Sequence, residues 1–213
     1  MNDFSSKIYL ANLNYPNIKN QTSESKGVNM PEEVSSIISS MKTANSYDAV
    51  HEILAKNVEE GNLEKLDTMT YRCGDYLISD ILTFQADREG KFLKELTKRD
   101  FSIAPKFVDS VQFGDFTVLV TKIEGMDGED LIPFSEGYNS LDDKAKSEAF
   151  KDIKKLVDLN LINQALFIRG NSSIYITPKT KQVVIPSWQM LRPIEQNEKK
   201  DILDTCRNIL FKE

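Results

Sequence analysis

Residues 159–188 read LNLINQALFIRGNSSIYITPKTKQVVIPSW, and this stretch decides the fold. Short strands are expected at Ser173–Thr177 and Gln182–Ile185, joined by a turn at Pro178-Lys179-Thr180. Pro186 cannot donate to a strand ladder and ends the second strand, so Trp188, the one tryptophan, follows directly on a sheet element. Before the stretch, a helix is expected from about Leu141 to Asp158. It carries Ala145, Ala149, Ile153 and Leu156 on one face. The acids Asp142 and Asp143 suit the positive end of that helix. After the stretch, a last helix runs from about Glu195 to Phe211, with the stripe Ile202, Cys206, Ile209 and Leu210.

Further upstream the pattern alternates between helix and strand. Val34, Ile37, Ile38 and Met41 recur at helical spacing after Pro31, a residue favoured in a first turn. Ser46 is a good N-cap for a second helix reaching about Glu60, with Val50, Ile53, Leu54 and Val58 on its apolar side and Gly61-Asn62 ending it. Tyr71–Asp75 reads as a strand entering a turn, and Tyr76–Leu82 as a second strand. Asp87–Lys98 is a charged helix whose apolar side is Phe92, Leu93 and Leu96. Pro105–Val111 is a strand, Gly114-Asp115 a hairpin turn, and Phe116–Ile123 the most strand-like run in the chain. Residues 1–29 are rich in Asn, Ser, Lys and Thr without sustained periodicity, and read as a mobile polar leader.

Composition excludes several functions. The chain has 213 residues with 40% apolar and 28% charged side chains, ordinary for a globular protein. Its net charge of −6 and isoelectric point near 5.0 argue against nucleic-acid binding, which needs a basic face. No window approaches a membrane span, and no signal peptide opens the chain. Cys73 and Cys206 are isolated and read as buried thiols of a reducing compartment. The one histidine, His51, reads as a solvated helix residue. One histidine and no cysteine cluster leave no zinc site and no nucleophilic triad.

The order of these elements, together with the apolar register of residues 159–188, resembles the protein-kinase-like fold over roughly residues 70–190. The catalytic letters are missing. Where that family has His-x-Asp, this chain has Asn163, Gln164 and Ala165. Where it has the metal-binding Asp of the DFG motif, this chain has Pro186-Ser187-Trp188. The strand that should carry the ATP-anchoring lysine has Ile78-Ser79-Asp80, so that Asp80 or a neighbour stands where a cation should pair with phosphates. Gly61 and Gly74 are too far apart for a glycine-rich phosphate cradle. Ala104–Val108 resembles the segment after the regulatory helix, and Phe116–Leu131 the edge strand and hinge.

The resemblance implies an α+β, two-lobed kinase-like fold with a truncated C-lobe and extra N-terminal helices. The expected segments are a leader at 1–29, a helical segment at 30–61, an N-lobe-like sheet and helix at 62–134, and a C-lobe-like part at 135–213. It implies no catalytic residue, no metal and no cofactor. Two weak cofactor-binding candidates remain: Glu95, which fits the regulatory-helix glutamate, and Asn171, which fits the metal-binding asparagine displaced by one residue. On the residues alone, Glu95 also reads as a solvated helix carboxylate and Asn171 as a turn residue of Gly170-Asn171-Ser172. Trp188 reads as a packing residue at the floor of the cleft.

The few residues after Trp188 make the chain similar to the small type III secreted effector kinases of the OspG-like kind. That resemblance implies a bacterial virulence protein exported from the bacterial cytoplasm into a host cell. Its function would be binding a protein partner, with ubiquitin or a ubiquitin-conjugating enzyme implied by family analogy alone. Two other readings stay open. One is a divergent kinase or nucleotidyl transferase using relocated acids such as Asp80, Asp109 and Asp115. The other is a small bacterial adaptor or immunity protein of unrelated fold.

Because residues 1–29 offer no periodic apolar face to bury, deleting them should leave the unfolding midpoint in urea nearly unchanged. A large drop in midpoint would show that Ile8, Tyr9 or Leu10 docks on the core.

Overall fold

Two helices open the computed structural model, which describes residues 30–167, 174–188 and 191–212. The leader expected at 1–29 lies outside the described residues, as does Asn171. Pro31–Glu213 makes up one unit and Met1–Met30 another; all elements belong to the former. Helix α1 (Glu32–Thr43) buries Val34, Ile37, Ile38 and Met41, the expected stripe. Helix α2 (Tyr47–Glu59) is capped by Ser46, whose Oγ accepts the Ala49 N–H at 3.2 Å, and it buries Val50 and Leu54.

A five-stranded antiparallel sheet follows: β1 (Glu64–Lys65), β2 (Thr70–Cys73), β3 (Tyr76–Leu82), and, after helix α3 (Thr83–Lys98), β4 (Lys106–Phe113) and β5 (Phe116–Lys122). Its spatial order is β1-β2-β3-β5-β4. Helix α3 starts a turn earlier than expected from Asp87. No side-chain cap marks that start. The β4–β5 hairpin holds it instead: Thr83 N donates to the Asp115 carbonyl at 2.8 Å and Thr83 Oγ1 lies 3.1 Å from Thr117 Oγ1. Strand β1 was not expected, because two residues carry no readable period.

The remainder is β6 (Ile132–Pro133), a short helix α4 (Phe134–Gly137), α5 (Asp143–Asp158), β7 (Leu161–Asn163), the hairpin β8 (Tyr175–Ile176) and β9 (Val183–Val184), β10 (Leu191–Pro193) and α6 (Lys199–Phe211). Asp142 caps α5, accepting the Ala145 N–H at 2.7 Å. Two small sheets form, β6-β8-β9 and β10-β7. A sheet-and-helix part followed by a helical part carrying a β-hairpin is an α+β architecture in the element order that the kinase-like resemblance implies. Among the described residues no helix is long and apolar enough to cross a membrane.

Side chains alternate along β3. Ile81 turns to the face where α3 and Leu119 pack, in a core that continues through Leu93, Leu156, Ile162 and Trp188 into the helical part. Ile78 and Asp80, opposite Val120 and Val118 in β5, lie on the other face. There α2 is anchored: the Tyr47 hydroxyl donates to Asp80 Oδ2, and the Tyr47 ring stacks on Phe116 at 4.5 Å. Lys42, at the end of α1, pairs with Asp109 of β4 at 2.6 Å.

Asp80 is 1% exposed, and its Oδ1 has no hydrogen-bond partner among the described residues, so the carboxylate leans on Tyr47. Tyr47→Phe should therefore cost about 1–3 kcal/mol in denaturant unfolding. Burial first, and then the bond to Asp80, push the Tyr47 phenol above its ordinary value. A phenol raised on folding stabilises fully below its unfolded pKa and loses that contribution as pH climbs past it. The loss of stability above about pH 10 should consequently be shallower in Tyr47→Phe than in the parent chain.

Candidate functional site

The region between the sheet and the helical part centres on Trp188. Its side chain is 0% exposed. The indole Nε1 donates to the Ile185 carbonyl at 2.8 Å, and the ring lies 5.8 Å from that of Phe92 on α3. The backbone N–H of Trp188 donates to Glu89 Oε1 at 2.8 Å, and Glu89 is itself buried. Two further bonds hold the segment before Trp188. Asn163 Nδ2 donates to the Ser187 carbonyl at 2.9 Å, and Ile185 N donates to the Ile103 carbonyl at 2.8 Å. Asn163 thus ties strand β7 to the segment that leads into Trp188.

The linker from the sheet to the helical part, residues 123–131, is pinned from three sides. Asp75 Oδ1, in the β2–β3 turn, accepts the Asp127 N–H at 2.7 Å. The Gly125 carbonyl accepts the Lys179 N–H at 3.0 Å from the β8–β9 turn, and Lys179 also pairs with Glu129. Gly125 has φ +88°, and a Cβ there would run into Thr180 Oγ1, so this contact requires glycine. Buried Arg72 on β2 reaches Asp130 at 2.7 Å and Glu64 on β1 at 3.1 Å. Beneath these ties Leu77, Ile123, Met126 and Val184 pack on one another, with Leu131 and Tyr175 beside them. Apolar side chains fill the angle between linker and sheet.

The sequence candidates fall as follows. Glu95 lies on the solvent side of α3 and pairs with Arg99 one turn on, at 2.8 Å. The α3 carboxylate turned inward is Glu89, which sequence reading missed. Asp80 does not face the inner side of its strand; it faces α2, where His51 Nε2 lies 3.3 Å from its Oδ2. His51 is accordingly a partner of a buried carboxylate, half-exposed, rather than a solvated helix residue. Asp109 is taken by Lys42, and Asp115 sits in the exposed β4–β5 turn, so the three spare acids do not converge. Glu129 and Asp130 are engaged by Lys179 and Arg72. Among the described residues no three His, Cys, Asp or Glu side chains gather as metal ligands. Both cysteines are free. Cys206 is buried, which pushes its thiol up to about 12, whereas Cys73 is half-exposed rather than buried.

Trp188→Ala should cost about 3–5 kcal/mol, the range for truncating a fully enclosed aromatic. The parent chain should show a blue-shifted emission poorly quenched by iodide, a clean readout because Trp188 is the one tryptophan. Glu89→Gln keeps an acceptor for the Trp188 amide and should be milder than Glu89→Leu, which strands that buried donor. Equal costs would remove the hydrogen bond as the reason for the buried carboxylate.

No protein-family model matches the sequence, and no curated protein matches it. Among solved structures the chain is similar to the kinase PK-1 of the Cydia pomonella granulovirus, at 11% identity and a TM-score of 0.49, over 76% of this chain and 74% of that one.

Proposed function

We propose that this protein is a catalytically inactive kinase-like protein that acts by binding another protein. The observation that carries this reading is the use made of the cleft. Glu89, the inward carboxylate of α3, accepts a backbone amide of the segment standing in for DFG, and a buried tryptophan occupies that segment. Leu77, Ile123, Met126 and Val184 fill the space beside the linker. Phosphoryl transfer works by positioning a metal–nucleotide complex and neutralising its charge. A cleft of packed side chains is suited to neither task.

The finer proposal is a bacterial effector exported by type III secretion. It is supported by the resemblance of Ile185–Trp188 to the corresponding stretch of OspG-like proteins and by the polar character of residues 1–29. On that proposal the partner is a host protein, with ubiquitin or a ubiquitin-loaded conjugating enzyme the first to test. The alternative enzyme built on Asp80, Asp109 and Asp115 has less support, since the first is buried against Tyr47 and the second is paired with Lys42.

Mg-ATP at 100 times its dissociation constant would add about 2.7 kcal/mol of stability, which in a chain of this size raises the melting temperature by about 5–10 °C. With millimolar Mg-ATP or ADP, thermal unfolding of this protein should not shift. A clear, saturable rise would sink the inactive reading.

A further inference from the structure

Helices α5 and α6 pack against each other, and one margin of that contact carries cations seated on aromatic rings. Lys154 Nζ of α5 and the Arg207 guanidinium of α6 lie 4.9 and 5.3 Å from the centre of one ring, Phe150. Lys146 Nζ of α5 and Lys212 Nζ, just past the end of α6, lie 4.6 and 3.6 Å from the centre of another, Tyr138. The two rings belong to one row of contacts. Phe150 stands one turn from Lys146 on α5, and its ring meets that of Phe211, the neighbour of Lys212, edge to face at 6.0 Å. The four cations therefore lie along a single strip. They form two pairs about 12 Å apart, the helical rise from Lys146 to Lys154.

The charge of the strip is set by the groups on it. Lys154, Arg207 and Lys212 are exposed and have no ion-pair partner among the described residues. By contrast, Lys144 and Lys155 of the same helix α5 are paired, with Glu148 at 4.0 Å and Asp152 at 2.7 Å. Lys146 meets only Asp143, at 3.8 Å, and that carboxylate is 96% exposed. A ring face attracts a cation without using its N–H donors, so each head is still able to donate to an oxyanion. Two like charges held on one ring repel each other, and an anion bound beside them relieves that repulsion. Acids bound the strip at both ends. Asp143 stands at one. At the other stand Asp158, a turn beyond Lys154 on α5, and Asp204, a turn before Arg207 on α6.

We infer that this margin of α5 and α6 is a docking strip for a short acidic segment of another protein. The inference deepens the binding-protein reading, and rests on it, by giving the partner's chemistry and the place it meets. An extended chain covers the distance between the two cation pairs in about four residues, so carboxylates that far apart reach both. The bounding acids set the length: a nucleic acid or an anionic membrane would run onto Asp143, Asp158 and Asp204, whereas a short segment ends before them. A membrane surface also takes apolar side chains that insert, and here Phe150 lies beneath its cations at 8% exposure. Heads already settled on rings lose less freedom when a partner arrives.

The test uses the full chain and two fluorescein-labelled eight-residue peptides, one alternating glutamate with serine and one alternating glutamine with serine, read by fluorescence anisotropy. The glutamate peptide should bind saturably and more weakly as salt rises, and the glutamine peptide should not bind. The double variant Lys154→Gln, Arg207→Gln should weaken binding about tenfold, and Lys212→Gln, at the other pair, should weaken it in the same direction. Lys56→Gln with Lys91→Gln removes the same charge from α2 and α3 and should leave binding unchanged. All these positions are exposed, and melting temperatures check that the fold is intact. An equal loss in the two double variants would be general electrostatic attraction and would overturn the inference. Self-association in sedimentation that Lys154→Gln, Arg207→Gln abolishes would make the occupant a second copy, and would overturn it likewise. So would binding to phosphatidylserine vesicles without binding to the glutamate peptide. Saturable stabilisation by Mg-ATP, with peptide binding still dependent on Lys154 and Arg207, would sink the inactive reading and leave this strip standing. Absence of peptide binding without a Mg-ATP effect would overturn the strip and leave the inactive reading in place.

Discussion

The hydrogen bond from the Trp188 amide to the Glu89 carboxylate is the constraint on which the centre of this protein depends. A buried carboxylate is costly to desolvate and persists where donors meet it. Here the donor is a backbone group that any substitution but proline keeps, carried by a residue whose own ring sits in the core. Trp188 can take that place because Ile185 and Ser187 are already held, one by the Ile103 carbonyl and the other by the amide of Asn163. Helix α3, the loop after it, strand β7 and the segment after β9 are thus joined at one point by groups that satisfy each other. The sheet part and the helical part share one core there rather than two.

The outer face of the sheet poses the complementary problem. Without α1 and α2, Ile78, Val118 and Val120 would face water. With the two helices in place, β3 and β5 are buried on both sides, and β5 is buried at nearly every position. That explains why Val118-Leu119-Val120 at the centre of β5 is apolar on both faces rather than alternating, since alternation is the mark of a sheet with one wet face. It also explains the company of Asp80. A carboxylate closed in by a helix needs donors from that helix, and Tyr47 and His51, one turn apart on α2, present theirs to it. The partners came from a segment preceding the sheet by many residues, which no local reading of β3 could supply.

What was legible in the chain divides along physical lines. Helices long enough to repeat their apolar stripe were read well, as were β2, β3, β5 and the hairpin turn at Gly114-Asp115. Strands β1, β6, β7 and β10 are two or three residues long, and their existence depends on partners far away in sequence, as Asn163 pairs with Leu191. The start of α3 is set by the β4–β5 hairpin and has no capping residue of its own. Choosing Glu95 over Glu89 was a different kind of miss, because the signal was present. Glu89 precedes Leu93 by one turn and Leu96 by two, which puts it on the apolar stripe, whereas Glu95 lies beside the stripe. A charged residue in register with a buried stripe is the one to suspect of having a buried partner.

The packing of the cleft bears on what kind of work the molecule can do. Domain closure needs two bodies that part at low cost, and here parting them would expose Trp188, strip donors from Glu89 and break the Arg72–Asp130 and Lys179–Glu129 pairs at the linker. Such cross-ties are a hindrance to an enzyme that must admit and release a nucleotide. For a protein that acts by presenting a surface they are an advantage, because a surface held rigid before contact loses less entropy on binding. The residues that pack the cleft are therefore also those that tie the sheet part to the helical part, and a substitution that loosened the Glu89–Trp188 contact would be felt in both.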